Sequence, residues 1–175
     1  MANPQDLDGQ ISQGWGGAAP NGVHVNVFLA RRASATAAAL TSVFTNPSPG
    51  FCPVLVVTGE DQPSYQTVLP PTMMLNKVAP ATEFQETLIF GAAQVGIAQA
   101  VLDAVAAGWL EATPDTLVFV ALWIDGAADA EDAVRASMRV AMNAALDEAV
   151  NGRPAGAAEA LVAQRDTLTH PFYNG

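Results

Sequence analysis

The sequence predicts a single α+β domain on three observations: a period-two strand pattern at 23–29, an apolar run over Thr116–Ile124, and two long helical patterns at 84–108 and 127–150. At 175 residues the chain is long enough to bury a core without disulfides or metal. Half of it is hydrophobic and only 14% is charged, the composition of a well-buried globular protein. The expected organisation is one domain over 1–175, with an irregular leader at 1–22 and a tail at 155–175.

Residues 1–22 are rich in Gly, Asn, Pro and Gln, which favour turns, with a short strand near Ile11 as the one regular element in reach. At 23–29, Val23, Val25, Val27 and Leu29 alternate with His24, Asn26 and Phe28, so one strand face is apolar and His24 and Asn26 share the other. An Ala-rich helix over 34–44, with Leu40, Val43 and Phe44 at helical spacing, stops at Asn46-Pro47-Ser48-Pro49-Gly50, where successive prolines cannot continue it. Short apolar runs at 54–58, 66–69 and 73–78, interrupted by Pro70 and Pro71, predict an antiparallel meander. Thr82 followed by Gln85 is a capping-box signal, and Phe84, Leu88, Ile89, Ala92, Val95, Ala98, Leu102 and Val105 then carry one buried helix to Gly108. Thr116–Ile124 suits a central strand, and the helix over 127–150 ends before Gly152 and Pro154.

Charge and composition exclude several classes of partner. Seven Lys plus Arg against seventeen Asp plus Glu give a net charge of -10, which repels a phosphate backbone, so no nucleic-acid partner is expected. The longest uninterrupted apolar stretch, 118–124, is too short for a bilayer and residues 1–9 carry no signal-peptide core, so a soluble, cytoplasmic protein is expected. Cys52 is the only cysteine, with no Cys or His at ligand spacing beside it, which argues against a disulfide or a metal site. The acidic charge and Ala-rich helices suit a homo-oligomer.

Few side chains remain for chemistry. His24 is the group that trades protons near neutral pH, or else a half-buried strand histidine with a satisfied hydrogen bond. Lys77, the only lysine, sits in a stretch that is otherwise uncharged, where its ammonium reaches water or meets an acceptor. Gln94 ends the run Phe90-Gly91-Ala92-Ala93-Gln94, whose small residues admit either a neighbouring backbone or a flat ligand.

In order and spacing these residues resemble the formaldehyde-activating enzyme family. There a strand carries a catalytic histidine with an aspartate two residues on; here it reads Val23-His24-Val25-Asn26. A turn like Asn46 to Phe51 and a site leucine, matched by Leu55, come next. An Asn-Lys-Val-Thr segment is matched by Asn76-Lys77-Val78-Ala79, and a Phe-Gly-Pro-Ala-Gln segment by Phe90 to Gln94. Asn151-Gly152-Arg153-Pro154 and Thr169-His170-Pro171-Phe172 resemble the closing segments. The chain departs from the pattern at Asn26 and Ala79, at Leu122-Trp123-Ile124-Asp125, and around Val134-Arg135.

The resemblance implies an α+β fold with a left-handed βαβ crossover, similar to the second domain of a small-subunit ribosomal protein, assembled as a homopentamer with pockets between subunits. It implies that formaldehyde and tetrahydromethanopterin, a cosubstrate rather than a covalently bound cofactor, give methylene-tetrahydromethanopterin and water without metal. His24 is then catalytic as acid and base, and Asn26, Leu55, Lys77 and Gln94 bind substrate. An aspartate at 26 would favour the imidazolium, so Asn26 is expected to lower the pKa of His24. The alternative is a noncatalytic binder of formaldehyde or a pterin.

Overall fold

The structure is a computed structural model that describes residues 6–46 and 48–171. The first residues of the leader, Pro47 of the turn, and Phe172 with Tyr173 of the closing segment lie outside the described residues. A five-stranded sheet runs in the order β1 (Ile11–Gly16), β2 (Val23–Arg31), β7 (Thr116–Ile124), β6 (Thr72–Asn76) and β3 (Val54–Leu55). The apolar run at Thr116–Ile124 is the central strand, as expected. All pairs are antiparallel except β6 with β7, so the fold is mixed α and β on a mixed sheet.

The alternation in β2 divides the sheet into two faces. Val23, Val25, Val27 and Leu29 are fully buried under α4 (Glu131–Asn151) and α3 (Gln94–Ala106), while His24, Asn26 and Phe28 point the other way. On that second face α1 (Ala35–Phe44) covers one end, where Phe44 meets Phe28 and Phe119 edge-on at 6.4 and 5.2 Å. The end carrying His24 is left uncovered by α1. Ser34 caps α1 by accepting the Ala37 N–H.

The antiparallel meander expected between 54 and 78 does not form. Val54–Leu55 pairs with β6, but β4 (Val57–Thr58) and β5 (Gln66–Thr67) make a separate two-stranded sheet, and β6 lies parallel to β7. The physical reason is that β6, with Thr72, Met74 and Asn76 buried, is an interior strand flanked on both sides, and Pro70 and Pro71 cut it off from β5. A parallel pair requires a long crossover, which the helix over 83–106 supplies.

That crossover comprises α2 (Glu83–Thr87), a π-helical turn (Leu88–Ala93) and α3 in one continuous run. Thr82 Oγ1 accepts the Gln85 N–H at 3.1 Å, while Gln85 Oε1 accepts from Ala81 at 2.6 Å rather than from Thr82. Glu83–Ala106 is apolar and long enough to cross a bilayer, a property the interrupted sequence pattern concealed, yet more than half of its most apolar stretch is buried inside the fold as a core helix is. Arg139 on α4 pairs with Asp103 on α3 at 2.6 Å, and Asn143 adds a bond at 3.1 Å, tying the two helices together.

Helix α4 starts at Glu131, not at 127, because residues 127–130 are held in a turn from elsewhere in the chain. Asn21 Oδ1 accepts the N–H groups of Asp129 and Ala130 at 3.0 and 3.1 Å, and Asp125 Oδ1 accepts that of Ala127. An anchor supplied across 108 positions leaves no local signal. Beyond Asn151, the segment read as tail forms α5 (Ala157–Ala163), none of whose residues is buried.

Strand β1, the expected strand near Ile11, faces α4 with Ser12, Gly14 and Gly16. Ser12 donates to the Ala145 carbonyl at 2.7 Å, and a Cβ at Gly14 or Gly16 would collide with the carbonyl oxygens of Ala141 and Ser137. The glycines let the helix backbone rest on the strand. Replacing Gly14 by Ala should therefore destabilise the fold by about 3 kcal/mol or more through overpacking against an unyielding backbone. Urea unfolding of the wild type and Gly14→Ala checks this, with Gln13→Ala on the opposite face as the mild control.

Candidate active site

The register of three strands assembles the site. Trp15 stands opposite His24 and His24 opposite Trp123, while Gln13 stands opposite Asn26. By alternation these side chains share the face turned away from α3 and α4. Lys77 follows β6, its backbone N–H bonded to Leu122 at 2.7 Å, so parallel pairing carries it to the same end of the sheet. Buried Asn76 secures the turn beyond by donating to the Gly50 and Val78 carbonyls at 2.7 and 2.8 Å.

Lys77 Nζ lies 2.6 Å from His24 Nδ1 and 2.8 Å from Asn26 Oδ1. An ammonium only donates, so Nδ1 accepts and the imidazole proton resides on Nε2, which donates to Gln13 Oε1 at 3.1 Å. Asn26 shares the face of His24, as the alternation predicts, and its amide oxygen accepts from Lys77. His24, Asn26 and Lys77 are thus brought together as a contiguous polar chain.

Electrostatics push both titrating groups toward their neutral forms. Burial first, then the Lys77 charge, then His170 hold the His24 pKa below its ordinary 6.5. Burial lowers Lys77 from 10.5. The imidazole is therefore neutral at pH 7 and poised to take a proton. Since the unfolded chain protonates His24 first, this residue's contribution to stability falls as pH drops below 6.5 and levels off once the folded imidazole also protonates.

A cavity of about 580 Å³ opens here, lined by Gln13, Trp15, His24, Lys77 and Trp123, and by His170 and Pro171 of the C-terminal segment. Trp15 and Trp123 stack at 5.8 Å with 29° between their planes. A second hollow of about 80 Å³ lies on the other side of Trp123, and Ala79 lines it. Among the described residues no three His, Cys, Asp or Glu side chains gather as metal ligands do.

Two candidates lie apart from this cluster. Leu55 shares the face of His24 but lies in β3, level with Met73, Phe119 and Phe28. Gln94 is on the helical side, where Oε1 accepts the Val57 N–H at 3.0 Å and Nε2 donates to Phe90 at 2.5 Å. Neither lines the larger cavity. Gln13 and Trp15 went unread in the sequence, although the alternation of Ser12, Gly14 and Gly16 with Ile11, Gln13 and Trp15 was a usable signal. No local pattern brings His170 to this place.

A sequence profile described as formaldehyde-activating enzyme matches residues 14–173. The chain is 31% identical, over 168 residues, to the 5,6,7,8-tetrahydromethanopterin hydro-lyase of Methanosarcina barkeri, covering 95% of this chain and 91% of that protein. It is 25% identical over 149 residues to the bifunctional enzyme Fae/Hps of Methanoculleus marisnigri, covering 84% of this chain and 36% of that longer protein.

The Lys77 charge contributes to the depressed basicity of His24, so Lys77→Met should raise the imidazole pKa toward 6.5. Proton NMR titration of the two histidines, assigned with His170→Gln, checks the shift. A midpoint for His24 that Lys77→Met leaves unchanged or lowers contradicts the assigned geometry.

Proposed function

Because the chain belongs to the formaldehyde-activating enzyme family, we propose that it condenses formaldehyde with tetrahydromethanopterin to give methylene-tetrahydromethanopterin and water. The observation that carries this reading is the hydrogen-bonded chain Gln13–His24–Lys77–Asn26 at the wall of an aromatic cavity. Formaldehyde is already electrophilic, so the work left to the protein is holding amine and aldehyde together and moving protons. The difficult step is loss of hydroxide from the carbinolamine.

His24, neutral at the start, takes the proton released as an amine adds to the aldehyde. The imidazolium returns it to the oxygen, which completes the carbinolamine. A second proton, taken up by His24 from solvent, goes to that hydroxyl, which leaves as water, and the second pterin nitrogen closes the ring on the iminium carbon and gives its own proton back to solvent. No electron changes hands in this sequence. Trp15 and Trp123 offer a flat apolar surface to the pterin ring system. Lys77 and Asn26 meet its polar edge.

Leu55 and Gln94 complete the substrate contacts from a neighbouring subunit, since within one chain they lie apart from His24. A homo-oligomer, a pentamer on the family's pattern, with the pocket between copies reconciles the two positions. The left-handed βαβ crossover and a cytoplasmic location belong to the same reading. Asn26 and Ala79 favour a second reading, a noncatalytic carrier or sensor of formaldehyde or a pterin.

The rate of condensation above the spontaneous background separates the two. Wild type should accelerate it, and His24→Ala should lose on the order of 10²-fold or more of that acceleration. A protein that binds tetrahydromethanopterin in a calorimeter without acceleration is the carrier. Mixing inactive His24→Ala with inactive Gln94→Ala subunits tests the shared pocket. After reassembly roughly a quarter of wild-type activity should return, the fraction of pockets receiving both native residues in a random mixture. No recovery places the whole pocket in one chain.

A further inference from the structure

We propose that Lys77 is the first acceptor of formaldehyde, forming a covalent iminium on its side-chain amine and passing the methylene carbon to the pterin. This rests on the condensation reading above and assigns the amine that reacts first. The geometry points to Lys77 because its Nζ lies in the cavity wall in direct contact with a base, 2.6 Å from His24 Nδ1. The orientation of that imidazole leaves the Nδ1 lone pair facing the ammonium.

The surroundings of the amine suit a nucleophile better than a structural cation. Its other partner is the neutral Asn26 amide at 2.8 Å, and among the described residues no carboxylate lies within 4 Å of Nζ. A half-buried ammonium with no counter-charge among the described residues is costly to keep, and burial accordingly lowers its pKa. Lys77 is also the only lysine in the chain, so no other side-chain amine competes for the aldehyde.

The steps balance in atoms and charge. The Lys77 ammonium gives a proton to His24 Nδ1, and the freed amine adds to formaldehyde to form a carbinolamine. The imidazolium protonates the hydroxyl, the C–O bond breaks, water leaves, and Lys77 is an iminium. The first pterin amine attacks the methylene carbon, and its proton passes to the Lys77 nitrogen. The bond from that nitrogen to the methylene then breaks as the pterin iminium forms. The second pterin amine closes the ring and its proton restores the Lys77 ammonium.

Reductive trapping tests the proposal on the intact protein. Carbon-13 formaldehyde and cyanoborohydride at pH 7 convert an iminium into a methylated amine, located by peptide mass spectrometry. With one lysine, the N-terminal amine serves as the internal reference. Lys77 should be methylated about tenfold or more faster than the amine of free Nα-acetyl-lysine. His24→Ala should slow it by a similar factor, and so should Asn26→Asp, whose carboxylate retains the ammonium. Tetrahydromethanopterin should suppress the labelling by draining the iminium. Accelerated condensation in a protein whose Lys77 labels no faster than the free amine, or undiminished condensation by Lys77→Arg, overturns the proposal and leaves the enzymatic reading standing. Rapid labelling without accelerated condensation overturns the transfer to the pterin and the enzymatic reading with it.

Discussion

The parallel pairing of β6 with β7 is the constraint on which the rest of the molecule turns. Two parallel neighbours cannot be joined by a hairpin, so the chain must leave the end of β6, cross the sheet and return at the start of β7. The crossing segment is the apolar helix over 83–106, which must cover a sheet face to bury its side chains. Occupation of that face by α3 and α4 leaves the other for polar groups. Lys77 stands where the crossover departs, and His24 stands across β7 from it. Fifty-three positions of sequence separate two atoms in hydrogen-bond contact.

What was legible in the sequence follows from local periodicity, and what was not follows from pairing. The alternation in β2 announced both faces correctly, and it put His24 and Asn26 on the same side. The central strand, the capping role of Thr82 and the two long helices were likewise readable from neighbours a few positions apart. The partner of β6 was not, since a five-residue strand carries no mark of parallel or antiparallel company. Nor could the start of α4 be placed, because Asn21 holds the turn before it from the β1–β2 loop. The ordered set of His24, Asn26, Leu55, Lys77 and Gln94 was visible only through a family pattern; the contact between His24 and Lys77 needed three dimensions.

Among the described residues, the side chains that line the larger cavity include no carboxylate, in a chain of net charge -10. Gln13 and Asn26 offer dipoles, which orient donors without fixing a charge. The Lys77 ammonium donates to an imidazole here, and burial lowers the pKa of both groups. A carboxylate at 26 would favour the charged form of the amine; an amide adds no such charge. An amide rather than a carboxylate at 26 thus alters the distribution of charge more than the shape of the pocket.

Strand β1 has two edges of freedom that differ absolutely. At Ser12, Gly14 and Gly16 the helix backbone lies so close that even one added methyl group at either glycine meets a carbonyl oxygen. At Gln13 and Trp15 the side chains line the cavity on the other side, Gln13 against His24 and Trp15 against Trp123. Structural and chemical information are interleaved residue by residue along six positions. A change of side chain at 13 or 15 alters the cavity wall without touching the contact of β1 with α4, so the strand works as a fixed chassis with an exchangeable wall.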